Sequence, residues 1–230
     1  MIALQPSMVG LPSPGRRSAV AWVFAVAYVV CVVVDLTVEL IGLDTVALIT
    51  QAMAMPLLAC ALVAAVRRLD RMTGPVLVAL IFSWLGDTVG NHDLLVKLGL
   101  FLLAQLAYVV AFWPRRHVSL LFRPWALVGY GALFLAMVAI LLPRTEALAV
   151  PVVVYGLCVV LMAVLASGLG RQGAIGGLFF VISDSILGTK WFYHSADTTN
   201  MIDFSIMFSY LLAQGLLVAA VVLDRRRYRR

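Results

Sequence analysis

Eight apolar stretches of about 20 residues each follow one another with short links between them, approximately at 18–38, 45–66, 73–90, 94–113, 121–142, 147–168, 172–190 and 203–223. Lipid offers no partner to backbone N–H and C=O groups, so runs of this length cross a bilayer as helices that satisfy themselves. The expected fold class is all-α: a polytopic bundle of eight transmembrane helices with no sizeable soluble domain. Only 12% of residues are charged, about half the share in soluble domains. Residues 1–17 read as a flexible tail, 18–223 as the membrane domain and 224–230 as a basic tail. The first run is longer than a signal-peptide core, lacks a small-residue cleavage site and is followed by further spans, so it reads as a retained helix.

A net charge of +6 would suggest nucleic acid in a soluble chain. Here its distribution reports orientation instead. If eight helices alternate, Arg16, Arg17, Arg67, Arg68, Arg71, Arg115, Arg116, Arg123, Arg171 and the arginines of the 225–230 tail share one side, fourteen of the seventeen Lys and Arg. Lys97, Arg144 and Lys190 fall on the other. The positive-inside rule then places both termini in the cytoplasm, of a bacterial cytoplasmic membrane on this reading. Cys31, Cys60 and Cys158 sit singly in apolar runs, without the spacing of a zinc site or a disulfide framework.

Against this background two aspartates stand out. Asp184 lies in Gly176-Gly177-Leu178-Phe179-Phe180-Val181-Ile182-Ser183-Asp184, and Asp87 lies in Ser83-Trp84-Leu85-Gly86-Asp87. A carboxylate at a transmembrane helix centre costs about 2.5–3.5 kcal/mol on insertion scales, so one that persists faces the bundle interior and is a candidate for function. Ser83, Asp87 and Asn91 share a stripe at i, i+4, i+8, Gly86 permits close approach of another helix, and Gln105 shares a face with Tyr108 as Tyr210 does with Gln214. Pro56 frees a carbonyl that a neighbour must satisfy. Asp35 and Glu39 read as solvated interface groups, with Asp35 still within reach of a site.

A weak internal repeat matches Gly86-Asp87 to Ser183-Asp184 and Leu-Leu-Ala-Gln at 102–105 to the same tetrapeptide at 211–214. It reads as two parallel four-helix halves, with chance agreement in so apolar an alphabet as the competing account.

Ser83, Gly86 and Asp87 in the third run, Phe180, Ser183, Asp184 and Leu187 in the seventh, the Pro151, Tyr155, Met162 block and the Tyr210, Gln214 block together resemble the YhhN-like lysoplasmalogenase family of integral membrane proteins. The chain departs from the family pattern in the second run, where Thr50-Gln51-Ala52 stands in place of Thr-Lys-Pro, and in the fourth, where Gln105 stands in place of His. The resemblance implies hydrolysis of the vinyl-ether bond of lysoplasmalogens to a fatty aldehyde and a glycerophospho-base, without a cofactor. That chemistry suits paired carboxyl groups. Protonation of the β-carbon gives an oxocarbenium ion, and an acid beside an anion serves both needs, as in glycoside hydrolysis. The expected catalytic pair is Asp87 and Asp184, with either as the acid. Gln51, Ser83, Gln105, Tyr155, Ser183, Tyr210 and Gln214 are expected to line the site, Ser83 and Ser183 to orient the carboxyls, and Trp84 to face the cation. Partners are then a lysophospholipid substrate and membrane lipid, not nucleic acid.

Two other accounts use the same residues. Paired membrane carboxylates also serve proton or cation relays in small transporters, and they pin bundles together by hydrogen bonds. A metal-dependent hydrolase built on His92 and His194 is disfavoured, because no helix carries zinc-ligand spacing.

Overall fold

The computed structural model describes residues 14–66, 68–90, 93–193 and 200–227. Asn91, His92, His194, and most of the two tails lie outside the described residues. Eight α-helices follow in order: α1 (Pro14–Ile41), α2 (Asp44–Ala65), α3 (Thr73–Thr88), α4 (Leu94–Phe112), α5 (Pro124–Leu141), α6 (Ala149–Ala166), α7 (Arg171–Tyr193) and α8 (Asn200–Arg227). Among the described residues there is no strand, only these helices and short 3-10 turns. Among the described residues seven helices are long and apolar enough to cross a membrane. The exception is α3, whose 16 residues rise about 24 Å, short of a hydrocarbon core of about 30 Å.

The links sort into two ends. The arginine-rich end holds the α2–α3, α4–α5 and α6–α7 connections and the end of α8. The opposite end, called the far end below, holds the other connections. Helix α1 pairs with α2, α3 with α4 and α7 with α8, while α6 joins α4 to α7. Helix α5 packs mainly on α6, and α1 leaves most of its surface to lipid. One anchor of α1 is the Tyr28 hydroxyl, which donates to the Leu211 carbonyl of α8 at 2.6 Å.

Small residues let the central helices approach. A Cβ on Gly177 would stand 2.7 Å from the Ala163 Cα of α6, and one on the adjacent Gly176 would stand 3.2 Å from the Ala213 carbonyl of α8. A Cβ on Gly86 would meet the Phe101 ring of α4 at 2.6 Å. The turns use glycine where backbone geometry requires it: Gly42 between α1 and α2 and Gly170 between α6 and α7 have φ of +72° and +99°, the region that disfavours a side chain.

Pro56 lies inside α2. Lacking an N–H, it cannot serve the carbonyl four residues earlier. That carbonyl, on Ala52, instead accepts the indole N–H of Trp84 from α3 at 2.9 Å. The freed carbonyl thus becomes a tie between two helices.

At the arginine-rich end, Asp70 leads into α3: its carboxylate accepts the N–H groups of Met72 at 3.1 Å and Thr73 at 2.9 Å. Arg225 of α8 closes on Asp70 at 2.6 Å and Arg115 on Asp224 at 2.8 Å, so the end of α8 is tied to both neighbouring links. At the far end Asp93 caps α4 by accepting from the Leu95 and Val96 N–H groups.

Candidate active site

Asp87 sits in the last turn of α3 and Asp184 in the middle of α7, 8% and 9% exposed. Each carboxylate has a tyrosine. The Tyr210 hydroxyl of α8 donates to Asp87 Oδ2 at 2.7 Å, and the Tyr155 hydroxyl of α6 donates to Asp184 Oδ2, also at 2.7 Å.

Between these pairs runs a buried aromatic and amide layer. The Tyr210 ring meets Phe101 and Phe180 edge-on, with centroids 5.8 and 5.7 Å apart. Phe180 is one helical turn before Asp184 and also meets the Tyr108 ring. The Tyr108 hydroxyl donates to Gln214 Oε1, and Gln214 Nε2 donates to Ser83 Oγ at 3.0 Å. This chain ends on the serine one turn before Asp87, so a fully buried amide holds α3, α4 and α8 in register. Gln105, equally buried, lies beside the Tyr155 hydroxyl.

Asp184 and Tyr155 are polar lining of a cavity of about 50 Å³ in the far-end half of the bundle, between α4, α5, α6 and α7. Its other walls are apolar apart from Lys97, with Phe101, Leu187, Trp191 and Phe192 among them. Asp87 does not line it. Asp87 is instead close enough to Lys97 for their charges to interact.

Other expected site residues stand elsewhere. Gln51 donates to Glu39 of α1 at 2.8 Å, because its position in α2 turns it toward α1. The Ser183 hydroxyl bonds the Ile206 carbonyl of α8 at 3.0 Å, a tie between helices in place of an orienting contact to Asp184. Trp84 is 37% exposed and engaged with Ala52, so it does not face the cavity. Asp35 differs from the reading as a solvated group, while Glu39 is half-buried against Gln51. Asp35 is 0% exposed, accepts the Thr50 hydroxyl at 2.5 Å and keeps Oδ2 buried without a partner. The α1–α2 pairing that seals it is strong packing the periodicity of one helix does not reveal.

Lys97 is the residue that sequence reasoning missed. Counting charges assigned it only to the far side of the membrane; it lies one turn inside α4 on the stripe of Phe101, Gln105 and Tyr108. Among the described residues no group of three or more His, Cys, Asp and Glu side chains is placed to hold a metal ion.

These features define an all-helical membrane protein with two buried, tyrosine-bonded carboxyls beside an apolar cavity. The YhhN family model matches residues 46–221, which span both carboxyls and both tyrosines, and the chain belongs to that family. Helix α1 and Asp35 precede the matched region. No curated protein and no solved structure matches the chain.

Proposed function

We propose that the protein is a membrane-embedded hydrolase of the vinyl-ether bond of lyso-ether phospholipids, with Asp87 and Asp184 as its acid and base. The observation that carries this reading is the pair itself: two buried carboxyls from α3 and α7, each held by a tyrosine hydroxyl on one oxygen, one of them lining a cavity with apolar walls. Membership of a family known to include lysoplasmalogenases supports it.

The cavity of about 50 Å³ takes the vinyl-ether group and not the alkenyl chain, and Asp184 offers that group a carboxyl. A carboxylic acid gives its proton to the β-carbon of the alkenyl group, and the electron pair of the ether oxygen fills the resulting oxocarbenium ion. The carboxylate so formed faces the cation, and Asp87, which does not line the cavity, adds its negative charge from outside it. Water adds at the α-carbon and loses a proton to a carboxylate, and the hemiacetal collapses to a fatty aldehyde and a free glycerol hydroxyl. One water is consumed, no electrons are exchanged, and the protons return to the pair. Tyr155 and Tyr210 fix the orientation of the carboxyls through the steps.

The test is release of fatty aldehyde from a defined lysoplasmalogen by the purified protein. Aldehyde in proportion to the free glycerophospho-base is the expected result. Absence of both, with proton or cation flux across liposomes containing the protein, would favour a carboxylate relay instead.

A further inference from the structure

We propose that a groove between α1 and α8 holds one chain of an anionic phospholipid whose headgroup lies at the arginine-rich end. No residue of this groove lines the Asp184 cavity, and its occupancy is independent of the hydrolase reading.

The groove owes its shape to one contact. Tyr28 of α1 donates its hydroxyl to the Leu211 carbonyl and rests its ring on Gly215, where a Cβ would stand 3.2 Å from Tyr28 Cε1. The ring props α1 a side chain's width from α8 instead of letting the two backbones meet. Toward the arginine-rich end the lining residues are small, with Ala25 on α1, Ala61 and Ala65 on α2 and Ala219 on α8, and the groove as a whole encloses about 570 Å³.

Its dimensions fit a lipid chain. The groove runs from Ala21 to Leu36 along α1 and from Leu223 back to Phe208 along α8, about 22 Å in length. One leaflet supplies about 15 Å of hydrocarbon, so a chain entering from the arginine-rich end lies within it. A volume of about 570 Å³ over that length is a mean section of about 26 Å², whereas a helix about 10 Å wide needs about 80 Å². The groove therefore takes an alkyl chain and is too narrow for a helix of a second copy.

Apolar fit alone does not select among lipids, because bulk tails are as apolar as the walls. Selection comes from the ends of the two helices. Arg16 and Arg17 lie in the first turn of α1, and Arg226 and Arg227 close α8, within two turns of the end of the groove. The two acids of this end, Asp70 and Asp224, are met by Arg225 and Arg115, so an excess of positive charge stands where a headgroup phosphate lies. Basic clusters beside transmembrane helices attract anionic lipid in this way, and a chain with a charge anchors where either alone holds weakly.

The test offers the purified full-length protein, freed of lipid in detergent, phosphatidylglycerol or phosphatidylcholine with the same two oleoyl chains. The mass of the intact complex counts lipids and protein copies together. Wild type should bind phosphatidylglycerol at least about 10-fold more tightly than phosphatidylcholine. Replacing Arg226 and Arg227 together by Gln should bring the two lipids to equal affinity. Ala25→Leu combined with Ala219→Leu, which fills the groove and leaves the arginines in place, should weaken phosphatidylglycerol binding by at least about 10-fold. Equal affinity of wild type for the two lipids overturns the proposal, as does an unchanged preference in the folded arginine variant or unchanged affinity in the folded alanine variant. Competition by glycerol phosphate as effective as that by the whole lipid also overturns it, since the helix ends would then hold an ion without the groove. So does a complex of two protein copies that excludes lipid.

Discussion

Replacing either carboxyl by an amide keeps an acceptor for its tyrosine but removes the proton that the chemistry needs. Asp87→Asn and Asp184→Asn are therefore expected to lower aldehyde release by about 10²–10⁴-fold, the usual worth of a general acid or base, at unchanged melting temperature. A pinning role gives the reverse: lower stability with specific activity retained in the folded fraction. Gln51→Lys is expected to leave turnover near wild type, because a lysine there meets Glu39 and does not enter the cavity. Single-residue legibility followed burial cost. A carboxylate in an apolar run identifies itself, which is why Asp87 and Asp184 stood out, and helical spacing put Tyr155, Tyr210, Gln214 and Ser83 on plausible faces. Spacing does not say which neighbour a face meets. That is why Ser183 and Trp84 were assigned to the site although they tie helices together, and why Asp35 was read as solvated.

At the scale of elements, close approach and end-locking carry the architecture. A side chain on Gly177 must displace the backbone of α6, since even its Cβ would meet the Ala163 Cα at 2.7 Å. Gly177→Val is expected to cost about 1–3 kcal/mol, read as a lower melting temperature, and to reduce activity by moving Asp184 two turns further along α7. Asp70 locks the other end of the bundle. Burial pushes its carboxyl upward, but the hydroxyl and N–H of Thr73, the N–H of Met72 and the Arg225 charge outweigh that and hold it below its ordinary value. A group depressed in this way stabilises the fold above its unfolded pKa, about 3.9 for Asp, and loses that contribution as the pH falls through the folded value. Wild type should therefore melt above Asp70→Asn at pH 7, and the gap should close below about pH 4. The repeated Leu-Leu-Ala-Gln tetrapeptide suggested equivalent halves, yet the two glutamines differ. Ser83, one turn before Asp87, receives Gln214, whereas the corresponding position before Asp184 is Phe180, whose ring offers no such acceptor, and Gln105 lies beside Tyr155 instead. The tyrosines also come from α8 and α6, which are not counterparts under a parallel four-helix repeat. The site is built without that symmetry.

For the whole molecule, the helical class was legible because each run had to satisfy its own backbone in lipid, whereas the number of crossings depends on α3, whose ends are set by Asp70 and by its junction with α4. Fourteen of the seventeen basic residues assigned to one side lead us to propose that both termini are cytoplasmic. A reporter fused after Arg230 should then be active only as a cytoplasmic protein, and a signal from the opposite compartment would reverse the orientation. The cavity lies in one half of the bundle alone. A hydrolase built this way draws its lipid from a single leaflet and releases a single-chain aldehyde and a water-soluble headgroup in its place. Each turnover removes one wedge-shaped amphiphile from that leaflet and none from the other, so activity in a closed vesicle should change the area balance of the two monolayers. Vesicles reconstituted with uniform orientation would bend in a direction set by which way the protein was inserted.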